Sequence, residues 1–394
     1  MLKVPSNQEK RAVWESYRAR RPVRVPLNWG VNSRIILLNP ALNPEGWTYR
    51  DYFHEPRVTL AIQARFQEYL AGTLSRSCDL ESTLPEYWNF CVESQNIYDA
   101  AYFGASVDFE PGQVPGTKPR FSFDDADEFL AMDYSRPLEN PWIKERLCYR
   151  EALVREAATF EYAGRRGKVA PFGVGFDGPL TAVASLFGAD GIMLLGAEPE
   201  KARAVMWKIT RDCLARNMAL ANLADGWKKG EYGGLADDSI QLISAEMYRE
   251  LVMPMHAFWY EQTSATKPSD KKRGIHLCGD ATRHFRTIRD ELGVYSFDTG
   301  FPVDHGALRR ELGPEVEISG GPHVSLFLNG APGECAAEAV RILRSGVMHG
   351  GRFMLREGNN LPPGVPLENL QAVYEACIEH GRYGAQGGLE QQSR

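Results

Sequence analysis

The chain has 394 residues, of which 43% are hydrophobic and 24% charged, proportions that exclude a collagenous or disordered chain. Its 45 basic residues against 51 acidic ones leave a net charge of −6, so no electrostatic footprint for nucleic acid is expected. Seven cysteines at scattered spacings suggest no disulfide framework and point to a reducing cytoplasm. Met1 to Lys10 is polar, without the apolar core of a signal peptide, and no run of 18 apolar residues exists, so no membrane association is expected.

In chain order, residues 1–80 read as a helical segment. Four arginines fall within Arg18 to Arg24, which reads either as a solvated helix end or as a grip for an anion. Val58 to Leu70 carries apolar residues at helical spacing. From about residue 81 a rhythm begins, in which a short apolar run ends on an acidic, glycine or metal-binding residue and a longer amphipathic segment comes after it. That alternation predicts strands linked by helices. The runs are Trp88 to Val92, Val169 to Val174, Gly233 to Ala236, Gly274 to Leu277, Tyr295 to Phe297, Val316 to Ile318 and Arg352 to Leu355. Gly191 to Leu195 is the eighth strand or a loop. Helices are expected over Pro199 to Lys229, over Ala245 to Thr263 behind the N-cap residue Ser244, and over Pro366 to Gly381. Residues 104–140, rich in Pro, Asp, Phe and Gly, read as an excursion over the barrel mouth, a candidate lid. Residues 385–394 read as a polar, disordered tail. The expectation is an α/β fold, a single (β/α)8 TIM barrel over residues 81–384 with an N-terminal helical extension. In such a barrel the strand ends gather on one rim, where catalysis takes place.

The sharpest chemical signal is His276-Leu277-Cys278-Gly279. An i, i+2 pair on a strand puts both side chains on one face, and the glycine permits a tight turn after it. Imidazole and thiolate together suit Zn²⁺. The alternative is a hydrogen-bonded histidine beside a small buried apolar cysteine. Asp237-Asp238, at another strand end, offers more carboxylate than a helix cap needs. Asp238 reads as a further metal ligand, an orienter of His276 or a general acid/base; a cap is the plainer reading. Glu357 is a candidate third metal ligand, or the partner of a barrel arginine. Asp177, Glu93 and Asp298 occupy similar strand-end positions and are candidates for substrate contact or, for Asp177, catalysis; Asp237 and His323 join them as candidates for substrate binding. No nucleophile elbow, phosphate-cradling loop or paired Cys-x-x-Cys is present. Gly173-Val174-Gly175-Phe176-Asp177-Gly178 matches a dinucleotide fingerprint only in part and runs into Pro179.

Several segments together resemble the uroporphyrinogen decarboxylase superfamily over residues 45–382. Gly178-Pro179-Leu180-Thr181 resembles its "GPxT" turn. Asp237-Asp238 with Leu242-Ile243-Ser244-Ala245-Glu246 and Pro254 resembles its "DD…LISPE…P" stretch. His276-Leu277-Cys278-Gly279 resembles the "HxCG" of its methylcobamide:coenzyme M methyltransferase-like branch. Gly320-Gly321, Pro366 to Asn369, Tyr52 to Pro56 and Phe66-Gln67 fit as well. The resemblance implies zinc held by His276 and Cys278. It also implies methyl transfer between a small methylated or methoxylated compound, or a thiol, and a corrinoid carried on a separate partner protein. Family members often form homodimers. A later cysteine completes the zinc set in that branch; here the corresponding residue is Asn359, which is assigned to substrate binding and leaves Glu357 for the third place. Two alternatives remain open. One is a porphyrinogen decarboxylase, although the "RQAGRY" loop of that enzyme is missing. The other is a non-catalytic barrel acting as a binding subunit.

Overall fold

Seven of the eight expected apolar runs yield parallel strands, and the departures have local causes. A computed structural model describes residues 4–384; the expected tail at 385–394 lies outside them. The chain divides into two compact units. One comprises Glu45–Ala64 and Glu86–His276, the other Met1–Pro44, Arg65–Pro85 and Leu277–Arg394.

In the first of these, β1 (Trp88–Phe90), β2 (Val107–Asp108), β3 (Gly116–Thr117), β4 (Gly167–Val169), β5 (Gly233–Ala236) and β6 (Arg273–Leu277) come in order. β1 pairs with β4 and β5 with β6, both parallel, while β2 and β3 form a small antiparallel ladder within the 104–140 excursion. Gly167 has no side chain because a Cβ there would lie 2.0 Å from the Phe90 ring. The strand expected over Val169 to Val174 stops at Val169, since Pro171 has no N–H for a ladder and Gly173 and Gly175 weaken the rest of the run.

Gly191 to Leu195 is neither strand nor loop. It lies inside the helix Ala189–Ala197, which succeeds the helix Pro179–Phe187 across Gly188 at an angle of 117°. Gly188 takes a positive φ of 61°, which a glycine adopts without strain, and this sharp bend hides the helical period from a sequence reading. The helix Pro199–Asn222 ends seven residues before the expected Lys229, where the Asn222 side chain accepts from Trp227 N and Gly226 turns left-handed. The helix expected over Ala245 to Thr263 contains a widened π turn at Tyr248–Val252. Pro254 cannot donate to the carbonyl one turn back, and the wider turn accommodates it.

The other unit carries β7 (Val294–Thr299), β8 (Glu317–Gly320) and β9 (Phe353–Leu355), parallel neighbours in that order, with the helices Thr282–Leu292, His305–Leu312, Pro332–Ile342 and Leu367–His380. Phe297, Ile318, Phe353 and Leu355 are fully buried along these strands. Of the Arg18 to Arg24 cluster, Arg18, Arg20 and Arg21 face solvent. Arg24 turns inward onto Asp79, which also accepts from Leu27 N and the Tyr374 hydroxyl at 2.8 Å each. One arginine of the cluster is therefore structural and three are a solvated helix end. The architecture is mixed α/β with parallel pairing, and no closed ring of strands forms by hydrogen bonding among the described residues. Among those residues no single helix is long and apolar enough to cross a membrane.

Candidate metal and active site

The site is built from the carboxyl ends of β5 and β6. β5 ends at Ala236, and Asp237 and Asp238 come next. β6 ends at Leu277, one residue after His276, and Cys278 follows it directly. The ligand atoms of Asp238, His276 and Cys278 all lie within 4.8 Å of one another. The His276 ring and the Asp238 carboxylate approach to 3.9 Å, each about one-third exposed. Nitrogen, sulfur and oxygen donors from three partly buried side chains form a set that could hold a metal ion. Gly279 turns left-handed after the cysteine, with φ 71°, as its position predicted. Behind Cys278, Gly300 donates to the Leu277 carbonyl at 2.8 Å, and a Cβ on Gly300 would lie 2.7 Å from the Cys278 Cα. The backbone of the candidate ligand segment is thus held by close packing that only glycine allows.

Asp237 and Asp238 part company. Asp237 is fully buried and accepts from Leu180 N at 3.2 Å, from Thr181 N and its hydroxyl at 2.8 Å each, and from His256 Nε2 at 2.9 Å. Fully buried under these donors, it anchors the Gly178-Pro179-Leu180-Thr181 turn, where a substrate contact was expected of it. His256, unrecognised from sequence, lies 3.1 Å through Nδ1 from the Tyr248 hydroxyl on the π turn. The π turn places both rings against the end of β5; Pro254 was its only sequence signal. Gly178, with φ 94°, allows the turn to touch the strand, for a Cβ there would lie 2.2 Å from the Ala236 carbonyl oxygen. Gly178→Ala is expected to lower stability by about 2–4 kcal/mol, since it adds backbone strain to a backbone clash. Urea unfolding checks this, and an unchanged midpoint would mean that the turn yields freely.

Asp177 sits beside a buried charge cluster. Its backbone N–H donates to Asp99 at 2.8 Å, and the Tyr98 hydroxyl donates to its carboxylate. Arg216, wholly buried, pairs with Asp99 at 2.9 Å and donates to the Gly175 carbonyl at 2.7 Å. Burial, reinforced by the charge of Asp99, raises the Asp177 carboxyl to about 7, against the opposing pull of Tyr98 and Arg216. A folded value above the unfolded one means that Asp177 contributes stability below about pH 4 and that this contribution fades as pH rises toward 7. Asp177→Asn, which stays neutral and keeps an oxygen for Tyr98, is expected to lose that dependence. Between pH 4 and pH 8 it should gain on the order of 1–3 kcal/mol relative to the wild type. Unfolding midpoints across that range provide the measurement, and parallel curves would contradict it.

Glu357 lies elsewhere in the bonding scheme. It is fully buried, accepts from Gly30 N at 2.9 Å and pairs with Arg356 at 2.8 Å. Arg356 also holds Asp298 at 2.9 Å, and Asp298 accepts from the Ser319 hydroxyl at 3.2 Å. The arginine-partner reading of Glu357 is the one found, and the carboxylate that joins His276 and Cys278 is Asp238. Burial still pushes the Glu357 carboxyl up to about 7, although Arg356 opposes it. Glu93 accepts from the Tyr52 hydroxyl at 2.6 Å and from Gln95. His323 packs at a tilt against Phe301 with ring centres 4.1 Å apart, and Asn359 is exposed, accepting from the N–H of Asn360 at 2.8 Å.

Parallel strands that carry carboxylate, imidazole and thiolate at their carboxyl ends place the chain among α/β proteins with a candidate site at the strand ends. The chain belongs to the uroporphyrinogen decarboxylase (URO-D) family, whose model matches residues 93–380. Within the family it lies with the methyltransferase-like branch. It is 25% identical over 320 residues to a methylated-thiol–coenzyme M methyltransferase of Methanosarcina mazei, covering 79% of this chain and 76% of that protein. A solved methyltransferase from Methanosarcina mazei superposes with a TM-score of 0.61 at 14% identity, over 95% of this chain and 98% of the other, which supports the TIM-barrel α/β fold.

Proposed function

We propose that the protein is a zinc-dependent methyltransferase that moves a methyl group between a small methylated thiol or methoxylated compound and a corrinoid carried on a separate protein. The observation that carries this reading is the convergence of Asp238, His276 and Cys278 within 4.8 Å, in a chain related to a methyltransferase. These three side chains would hold the metal. Bound zinc supplies Lewis acidity that lowers the charge on a thiol sulfur or ether oxygen as the methyl group leaves or arrives. Asp237 and His256 fix the end of β5 from which Asp238 projects. Asp177, poised near neutrality, is the residue suited to hold or release a proton at its carboxylate. The corrinoid protein is the expected partner, the cytoplasm the expected compartment and a homodimer the expected assembly.

The test is the metal content of the purified protein beside His276→Ala and Cys278→Ser. About one zinc per chain is expected in the wild type and none in either variant. Methyl transfer from candidate thioethers and ethers to a corrinoid protein should be lost in parallel. A wild type that takes up no metal even when zinc is supplied would overturn the reading and return attention to porphyrinogen decarboxylation or a binding role.

A further inference from the structure

The unit that carries Asp238 and His276 also contains a cavity of about 580 Å³ that shares no lining residue with them. Its wall brings together Arg50, Arg120 and Arg146, with Glu145 as the sole carboxylate. That is a local excess of two positive charges in a chain whose net charge is −6. Glu145 is already engaged by Arg146. Arg50 and Arg120 are exposed and form no ion pair among the described residues.

These arginines are held in place. Arg120 donates to the Phe103 carbonyl at 2.7 Å, and it lies so close to Gly104 that a Cβ there would be 1.9 Å from its guanidinium. Arg50 stacks over the Phe109 ring at 5.2 Å, and Phe109 in turn packs edge-on against Phe53 at 5.3 Å. Two polar atoms of lining residues are buried without any hydrogen-bond partner, the Tyr102 hydroxyl and Arg146 Nε; Tyr102 is 1% exposed and Arg146 3%. Both atoms are sealed from solvent, so they belong to the fixed wall, and the donors a ligand meets are the exposed guanidinium groups of Arg50 and Arg120.

We propose that this cavity binds a small organic anion, a carboxylate or sulfonate on a flat apolar body. The volume falls within the ordinary range for small-molecule sites. The aromatic wall takes the body by stacking, and the planar guanidinium groups match the oxygens of the anion. The proposal is independent of metal binding and of methyl transfer.

The test uses 2-naphthalenesulfonate as the probe, titrated into the full-length protein by calorimetry, with neutral 2-naphthylmethanol and inorganic sulfate as comparisons. Saturable binding at one site is expected, about tenfold tighter than for either comparison. The double variant Arg50→Gln/Arg120→Gln, altered only at exposed side chains, should bind the probe about tenfold more weakly with unchanged unfolding and zinc content. Ala105→Trp, which fills the cavity from its wall, should abolish binding. No binding by the wild type would overturn the proposal. So would equal affinity for the neutral compound, or wild-type affinity in either variant.

Discussion

Replacing Arg216 with Met is expected to destabilise the protein by about 3–5 kcal/mol, the cost of leaving a buried charge without its partner. Arg216 and Asp99 are 0% and 3% exposed in their side chains and pair at 2.9 Å. Asp99 has other donors, the Asp177 N–H at 2.8 Å and the Cys213 thiol at 3.5 Å, but neither carries a charge. The loss should be greatest at neutral pH, where Asp99 would stand beside an Asp177 that is ionising as well. Part of the stability should therefore return on acidification toward pH 5. Met retains the straight apolar stem, so lost packing contributes little to the difference. Arg216→Lys should fall between, because a point charge cannot replace a guanidinium that reaches Asp99 and the Gly175 carbonyl together. Chemical unfolding of the three proteins at two pH values decides the matter. A loss below about 1 kcal/mol would mean that water reaches Asp99 and that the pair behaves as a surface one.

The part legible in the sequence was the part set by short-range pattern. β5 lies at Gly233–Ala236 as expected, and β6 to β9 fall within a few residues of their apolar runs. Such runs announce themselves by composition and by the residue that closes them. The eighth strand failed because Gly191-Ile192-Met193-Leu194-Leu195 is apolar in either state, and periodicity cannot arbitrate over five residues. Only the left-handed Gly188, which bends the chain sharply before a second helix, settles it. The site shows the same division. His276 and Cys278 are two apart across the end of β6, so the extended chain that continues past the strand brings them to one side. That Asp238 joins them depends on the register of β5 against β6, in which Ala236 stands opposite His276. Asp237 and Asp238 are indistinguishable by type and position, yet one is buried under four donors and the other faces the histidine. Cross-strand register and burial are long-range properties, and for the same reason His256 gave no signal of its own.

The same register makes the third ligand the most discriminating test of the site. Asp238→Asn is expected to weaken zinc binding by roughly 100-fold, because an amide oxygen is neutral and the carboxylate beside His276 is gone. Glu357→Gln should leave zinc affinity within about twofold, since loss of a group outside the coordination shell acts only indirectly. Glu357 is bonded to Gly30 and Arg356, and burial raises its carboxyl to about 7, so the amide removes only part of a charge at neutral pH and none from the metal's own ligands. Competition against a chromophoric chelator reads both affinities directly, without any assay of methyl transfer. Cys278→Ser, tested alongside, calibrates the loss of a ligand that both the strand pattern and the spatial cluster assign to the metal. If Glu357→Gln lost zinc and Asp238→Asn kept it, the third ligand would lie in the loop after β9, and Asp238 would serve instead as the acid/base partner of His276. If both kept it, the metal would rest on the His276 and Cys278 pair with water completing the shell, a weaker site that should release zinc to modest chelators. The expected order, Asp238→Asn far below Glu357→Gln, would place the whole protein ligand set on the ends of β5 and β6 and leave the approach from solvent open to a thiol or ether.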